Sequence, residues 1–113
     1  MLGHVSIRVS DPEASAQFYL EALSPLSYKA MRFPEVVGIG PSDSSAPIPC
    51  LWLRKRAPKP DSDDPAKHSP VHISFYAPER RQVDEFYTRG IKAGGMDNGL
   101  PGVRPFMANY YGM

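Results

Sequence analysis

"HVSIRVSDPEASAQFY" at residues 4–19 and "HISFYAPERRQVDEFY" at residues 72–87 overlay at one offset of 68 positions, without a gap. His4 falls on His72, Val5 on Ile73, Ser6 on Ser74 and Ile7 on Phe75. Farther along, Asp11 falls on Glu79, Phe18 on Phe86, Tyr19 on Tyr87 and Leu23 on Ile91. Two histidines could coincide by accident. An accident would not also bring two Phe-Tyr pairs into register. The chain therefore carries an internal repeat, and its fold is to be read as two copies of one unit.

The first copy shows what that unit is. Val5, Ile7 and Val9 alternate with His4, Ser6 and Arg8, the period-2 pattern of a strand. A helix follows, started either by a Ser10–Glu13 capping box or by Asp11 as cap with Pro12 at the first helical position. Ala14, Phe18 and Ala22 recur at helical spacing with Leu23 alongside, and Ser24-Pro25 ends the helix. Strand-like pieces then cover about 27–33, 36–40 and 49–54. Module 1, about residues 1–54, reads strand, helix and three strands.

Residues 55–70, "KRAPKPDSDDPAKHSP", have the proline and charge content of a linker, and His68 within it reads as a solvent residue. Module 2, about 71–113, opens with a strand. Its helix buries Val83, Phe86 and Gly90 and ends before Gly94-Gly95. A strand or loop is expected over 95–101 and a strand over 106–111. The counterpart of the 49–54 strand would fall near 117–122, past Met113, so module 2 is expected to be one strand short. The expected fold class is α+β, a single domain over 1–113.

Composition narrows the function classes. With 42% apolar residues the chain supports a packed core, and a net charge of +1 provides no field for nucleic acid or an anionic membrane. The basic run Arg54-Lys55-Arg56 with Lys59 is followed by Asp61, Asp63 and Asp64, a mixture that reads as solvated. Cys50 is the only cysteine, so no internal disulfide forms and a reducing compartment is expected. Neither a leader pattern nor a bilayer-length apolar run is visible, which makes the cytoplasm the expected location.

The duplicated unit resembles the glyoxalase / bleomycin-resistance / extradiol-dioxygenase (vicinal oxygen chelate) superfamily. The resemblance rests on "GHVSIRVSDPEASAQFY", "HISFYAPERRQVDEFY" and, near the end, "GLPGVRPFMANYYG", and it spans essentially the whole chain. It implies two βαβββ modules forming a curled mixed sheet around a shared cleft. It also implies a divalent metal (Zn, Ni, Fe, Mn or Co) held from the first and last strands, with His4 and His72 at the two first-strand positions. The family's closing glutamate has no counterpart before Met113, and the matching first-module strand, "IPCLWLRK", offers only Cys50 as a soft ligand. Two functions follow from the resemblance. One is a metal-dependent lyase, isomerase or oxygenase acting on a small oxygen-rich metabolite. The other is a metal-free, bleomycin-resistance-like protein that binds a small molecule; an inactive shortened member is a third reading.

The residues themselves leave alternatives open. His4 and His72 are either hydrogen-bonding histidines on a polar face or the ligands of one ion. Arg8 is either surface or an anion contact suited to a carboxylate-bearing substrate. Trp52 alternates with Cys50 and Arg54 while Leu51 and Leu53 take the other face, so it faces the cleft or the core. Tyr110 is a candidate for one pocket hydroxyl, and no catalytic base is assigned. An open sheet edge in module 2 suggests a homodimer.

Overall fold

The computed structural model describes residues 2–43, 49–57 and 71–113. Most of the 55–70 linker, including His68 and the three aspartates, lies outside the described residues. Module 1 folds as its patterns require. Strand β1 (Val5–Val9) leads into helix α1 (Pro12–Ala22), then β2 (Tyr28–Phe33), β3 (Val36–Pro41) and β4 (Leu51–Lys55). They form one sheet in the order β1-β4-β3-β2. The β2–β3 and β3–β4 pairs are antiparallel, and β4 returns parallel to β1 with Val5 opposite Leu51 and Arg8 opposite Arg54.

The first helix uses the Asp11 cap rather than the Ser10–Glu13 box. Asp11 Oδ1 accepts from the Glu13 and Ala14 amides at 3.0 and 3.1 Å, satisfying N–H groups that the helix start leaves unpaired. Ala22 and Leu23 are buried as the helical spacing indicated, and one residue of the expected stripe differs. Ala16 is buried and Ala14 exposed, because the helix lays its Ala16 side, with Leu23 just past its end, on the sheet. There Leu23, Ile39, Leu51 and Leu53 are the largest fully buried side chains, and Ile7 and Val9 of β1 pack against them. Burial of such a side chain contributes about 1.5–3 kcal/mol. One face of the sheet is thereby committed to α1, and by alternation His4, Ser6 and Arg8 take the opposite face.

The repeat is visible in three dimensions. Helix α2 (Arg80–Lys92) starts 68 positions after α1, and its cap Glu79 is the image of Asp11, here in a capping box with Gln82. Where α1 meets α2, residues touch their own repeat images. A Cβ on Gly90 would lie 3.8 Å from that of Ala22, and Arg89 pairs with Glu21 at 3.2 Å. A residue meets its image only near a twofold axis, so a pseudo-twofold passes through this helix contact.

Past that axis module 2 departs from expectation. Residues 71–77 keep the alternation, with Ile73 and Phe75 packed on the common core, yet they form no strand ladder among the described residues. Their repeat image, β1, is ordered by its parallel ladder with β4. Residues 95–101 take the loop alternative of the expectation, whereas the expected 106–111 strand is mostly a turn. The only second-module ladder among the described residues is a short hairpin, β5 (Gly102–Val103) against β6 (Tyr111–Gly112). Pro105 cannot donate to a ladder, and Asn109 adopts φ 61°, so the chain turns between them. The hairpin is fixed to α2 by Tyr111, whose hydroxyl donates to Asp84 Oδ1 at 2.6 Å while Arg80 lies 5.1 Å over its ring.

Candidate functional site

The face of the four-stranded sheet that turns away from α1 collects most of the candidate residues. Strand β1 contributes Ser6 and Arg8, with His4 just before it; β4 contributes Trp52 and Arg54; β2 contributes Lys29, Met31 and Phe33 by register. Three rings form a strip across it. His4 meets Trp52 edge-on at 6.5 Å between centroids, and Trp52 meets Phe33 at 5.8 Å with a 35° tilt. Such pairs favour edge-on and offset arrangements because the ring faces are electron-rich and the edges electron-poor. Trp52 is therefore not a core residue: Leu51 and Leu53 on either side of it are buried, while it is half-buried on the open face.

Gly38, opposite Trp52 on β3, makes the strip possible. A Cβ there would lie 2.6 Å from Pro49 Cγ, 2.7 Å from Pro49 Cβ and 3.2 Å from Trp52 Cζ3. The missing side chain lets Pro49 and the indole lie directly on the backbone. Pro49 is held there through Cys50, whose amide donates to the Ile39 carbonyl at 2.9 Å and whose carbonyl accepts from the Val5 amide at 2.8 Å. Burial is the main cause of the raised pKa of Tyr28, and the neighbouring Cys50 thiol adds to it.

The polar part of the face is basic. Arg54 Nε donates to Ser6 Oγ at 3.0 Å, which sets the guanidinium beside β1. Arg8 sits directly opposite Arg54 in the parallel ladder. None of the four strands carries an aspartate or glutamate. Arg32 is on the other side, where its forked contact with Glu13 (2.9 and 2.8 Å) ties β2 to α1 and lowers the Glu13 pKa.

Two other candidates belong to module 2. His72 is exposed on the 71–77 segment, on the side opposite Ile73 and Phe75. Tyr110 is in the hairpin, with its ring against Gly112. Among the described residues no group of three or more His, Cys, Asp or Glu side chains is placed to hold a metal ion. Catalytic metal sites commonly use about three protein ligands, so the described donor set does not by itself make one. A groove of about 480 Å³ runs along α2 between Glu21 and Lys92, but its Arg81–Glu85 and Arg89–Glu21 pairs already neutralise one another, and it reads as solvated surface.

Two residues of this face are not evident from local sequence. Phe33 comes beside Trp52 only through the β2–β3–β4 register, which no local pattern specifies. Arg54 has a signal, its alternation with Trp52, but the neighbouring Lys55 and Arg56 make it look like the start of a charged linker.

Solved structures share this architecture. A glyoxalase/bleomycin resistance protein from Albidiferax ferrireducens T118 superposes with a TM-score of 0.68 at 25% identity, covering 90% of this chain and 80% of its own. A hypothetical protein from S. aureus gives 0.59 at 26% identity, over 88% of this chain and 75% of its own. A glyoxalase/bleomycin resistance protein/dioxygenase from Nocardioides gives 0.56 at 19% identity, over 93% and 69%. No family model and no curated protein matches the chain. The duplicated unit thus has the fold of the glyoxalase / bleomycin-resistance / dioxygenase superfamily, as the resemblance implied.

Proposed function

We propose that this chain, with the glyoxalase / bleomycin-resistance / dioxygenase fold, is a small-molecule binding protein of the bleomycin-resistance kind. Its ligand lies on the open sheet face. The observation that carries the reading is the His4–Trp52–Phe33 strip, three aromatic rings in edge-on and tilted contact on a face that α1 does not cover; among the described residues it has no three-donor metal cluster beside it. In this reading Trp52 stacks on a flat ligand, Phe33 and His4 border it, and Arg8 meets a polar end. Stacking of a ring on an aromatic side chain contributes about 1–3 kcal/mol.

Trp52 is the only tryptophan, so its indole N–H signal in an NMR spectrum reports this face alone. Saturable movement of that signal by a flat aromatic probe such as cinnamamide or cinnamate, at sub-millimolar concentration, is the expected result. If neither probe moves it, the binding reading falls.

A metal-dependent reading is supported by one observation, the equivalence of His4 and His72 under the repeat. It requires a third donor from outside the described residues. A stoichiometric divalent ion in protein purified without a histidine tag, lost on His4→Ala and on His72→Ala, would replace the binding reading with this one.

We also propose a homodimer. Its support is the uneven core: among the described residues the fully buried large side chains all belong to module 1, whereas Tyr76, Met96 and Phe106 of module 2 are 84%, 93% and 78% exposed. Such apolar surface, beside an extended segment without a ladder, favours a neighbouring chain. A monomeric mass by light scattering at high micromolar concentration would refute it.

A further inference from the structure

The two arginines of the open face have a chemistry that the aromatic strip alone does not explain. Arg8 and Arg54 stand directly opposite each other on adjacent parallel strands. Strands in a sheet are about 4.8 Å apart, and like charges placed opposite each other across a ladder destabilise the pair. A nearby carboxylate would relieve such a contact. Here no carboxylate occurs on any of the four strands, and among the described residues no acidic side chain pairs with Arg8 or Arg54.

The pair is nevertheless organised. Ser6, on the same face as Arg8, accepts from Arg54 Nε at 3.0 Å. That bond uses one edge of the guanidinium and fixes its plane, leaving the terminal N–H groups to donate elsewhere. Lys29 adds a further cation on β2, where its ammonium donates to the Ser42 carbonyl at 3.5 Å. The face therefore combines positive charge, a pre-set guanidinium fork and, among the described residues, no internal counter-ion.

The geometry points to an anion subsite formed by Arg8 and Arg54 with Ser6, next to the Trp52 platform, and so to an aromatic carboxylate as the ligand class. This rests on the binding reading above and adds the charge of the ligand to it. Trp52 and Arg54 are two residues apart on one face of β4, a separation of about 7 Å along a strand. An arginine side chain readily spans the distance from there to a carboxylate attached to a ring stacked on Trp52. A guanidinium meets a carboxylate with two parallel N–H donors, so the subsite discriminates by shape as well as by charge.

The test compares cinnamate with cinnamamide, which share the ring and differ in charge, using the Trp52 indole N–H signal of the full chain. The expected result is a preference for cinnamate of about tenfold or more, the factor a charge-assisted hydrogen-bond pair supplies. The preference should weaken as salt is raised from about 0.05 to about 0.5 M, as a charge contact at a partly exposed site requires. Arg8→Ala and Arg54→Ala should each bring the cinnamate-to-cinnamamide ratio towards one. Because the readout is a ratio, a general loss of binding does not imitate this result.

Equal affinity for the two probes overturns the anion subsite and leaves the binding reading standing. Failure of both probes to bind overturns the binding reading, and the subsite with it. A preference that disappears in EDTA assigns the carboxylate to a metal ion and overturns the arginine assignment. A preference unchanged in both arginine variants overturns it as well.

Discussion

Gly38→Ala tests whether the aromatic strip depends on a missing side chain. The added Cβ would lie 2.6 and 2.7 Å from two ring carbons of Pro49 and 3.2 Å from Trp52 Cζ3. Carbon atoms rest at about 3.5–4.0 Å, so one partner must retreat by about 1 Å. The proline ring has no soft rotation with which to do so. Its neighbour Cys50 is bonded to both Ile39 and Val5, so moving Pro49 strains two backbone hydrogen bonds. Overpacking of this kind costs about 1–3 kcal/mol. Replacing glycine offsets part of that, about 0.4–1 kcal/mol, by restricting the unfolded chain. Because the steric cost exceeds this gain, the net expectation is a loss of about 1–2 kcal/mol. For a domain of this length that lowers Tm by about 4–8 °C. Urea and thermal unfolding followed by Trp52 fluorescence measure it, and the native emission should shift as the indole is displaced. Gly102→Ala is the control, because nothing lies within 4 Å of a Cβ there; it should change stability by less than about 0.5 kcal/mol. A Gly38→Ala protein as stable as the wild type, with unchanged emission, would refute the packing argument.

Three further outcomes follow from the same geometry. Leu53→Ala removes a fully buried side chain of the α1-facing sheet surface and should cost about 2–5 kcal/mol in urea unfolding. Asp11→Ala leaves the Glu13 and Ala14 amides without their cap and should cost about 1 kcal/mol, whereas Ser10→Ala should cost little, since Asp11 holds the cap. Glu13→Gln tests the Arg32 contact by pH. The hydrogen bond from Arg32 holds the Glu13 pKa below 4.5, so the pair stabilises the fold above that pH and loses its effect as acid protonates the folded carboxylate. The Tm gap between wild type and variant should be widest near neutral pH and close as the pH falls through the region below 4.5. A gap that persists unchanged in strong acid, once the carboxylate is protonated, would show that charge is not what the pair contributes.

Much of this protein is written in local pattern, because the interactions responsible span few residues. Alternation in "VSIRV" and "LWLRK", the Asp11-Pro12 start and the Ser24-Pro25 stop each act within one element, and each produced it. The offset between His4 and His72 went further: helices that begin 68 positions apart, capped by Asp11 and Glu79, are what a duplicated sequence dictates. Other features depend on partners distant in the chain. Residues 71–77 have the pattern of β1 but, among the described residues, no ladder, and a strand exists only when another strand supplies its hydrogen bonds. The 106–111 segment has strand-forming residues, yet the Pro105 and Asn109 backbones turn it into a hairpin tip. The candidate site is the clearest case. Alternation placed Arg8 and His4 on a polar face and left Trp52 between cleft and core, and which faces coincide is a matter of sheet register. Only the packing of β2, β3 and β4 brings Phe33 to Trp52 and seats Pro49 on Gly38, and only the β1–β4 ladder sets Arg8 opposite Arg54. Contacts between strands are fixed by hydrogen bonding across the sheet and not by the order of residues along any one of them.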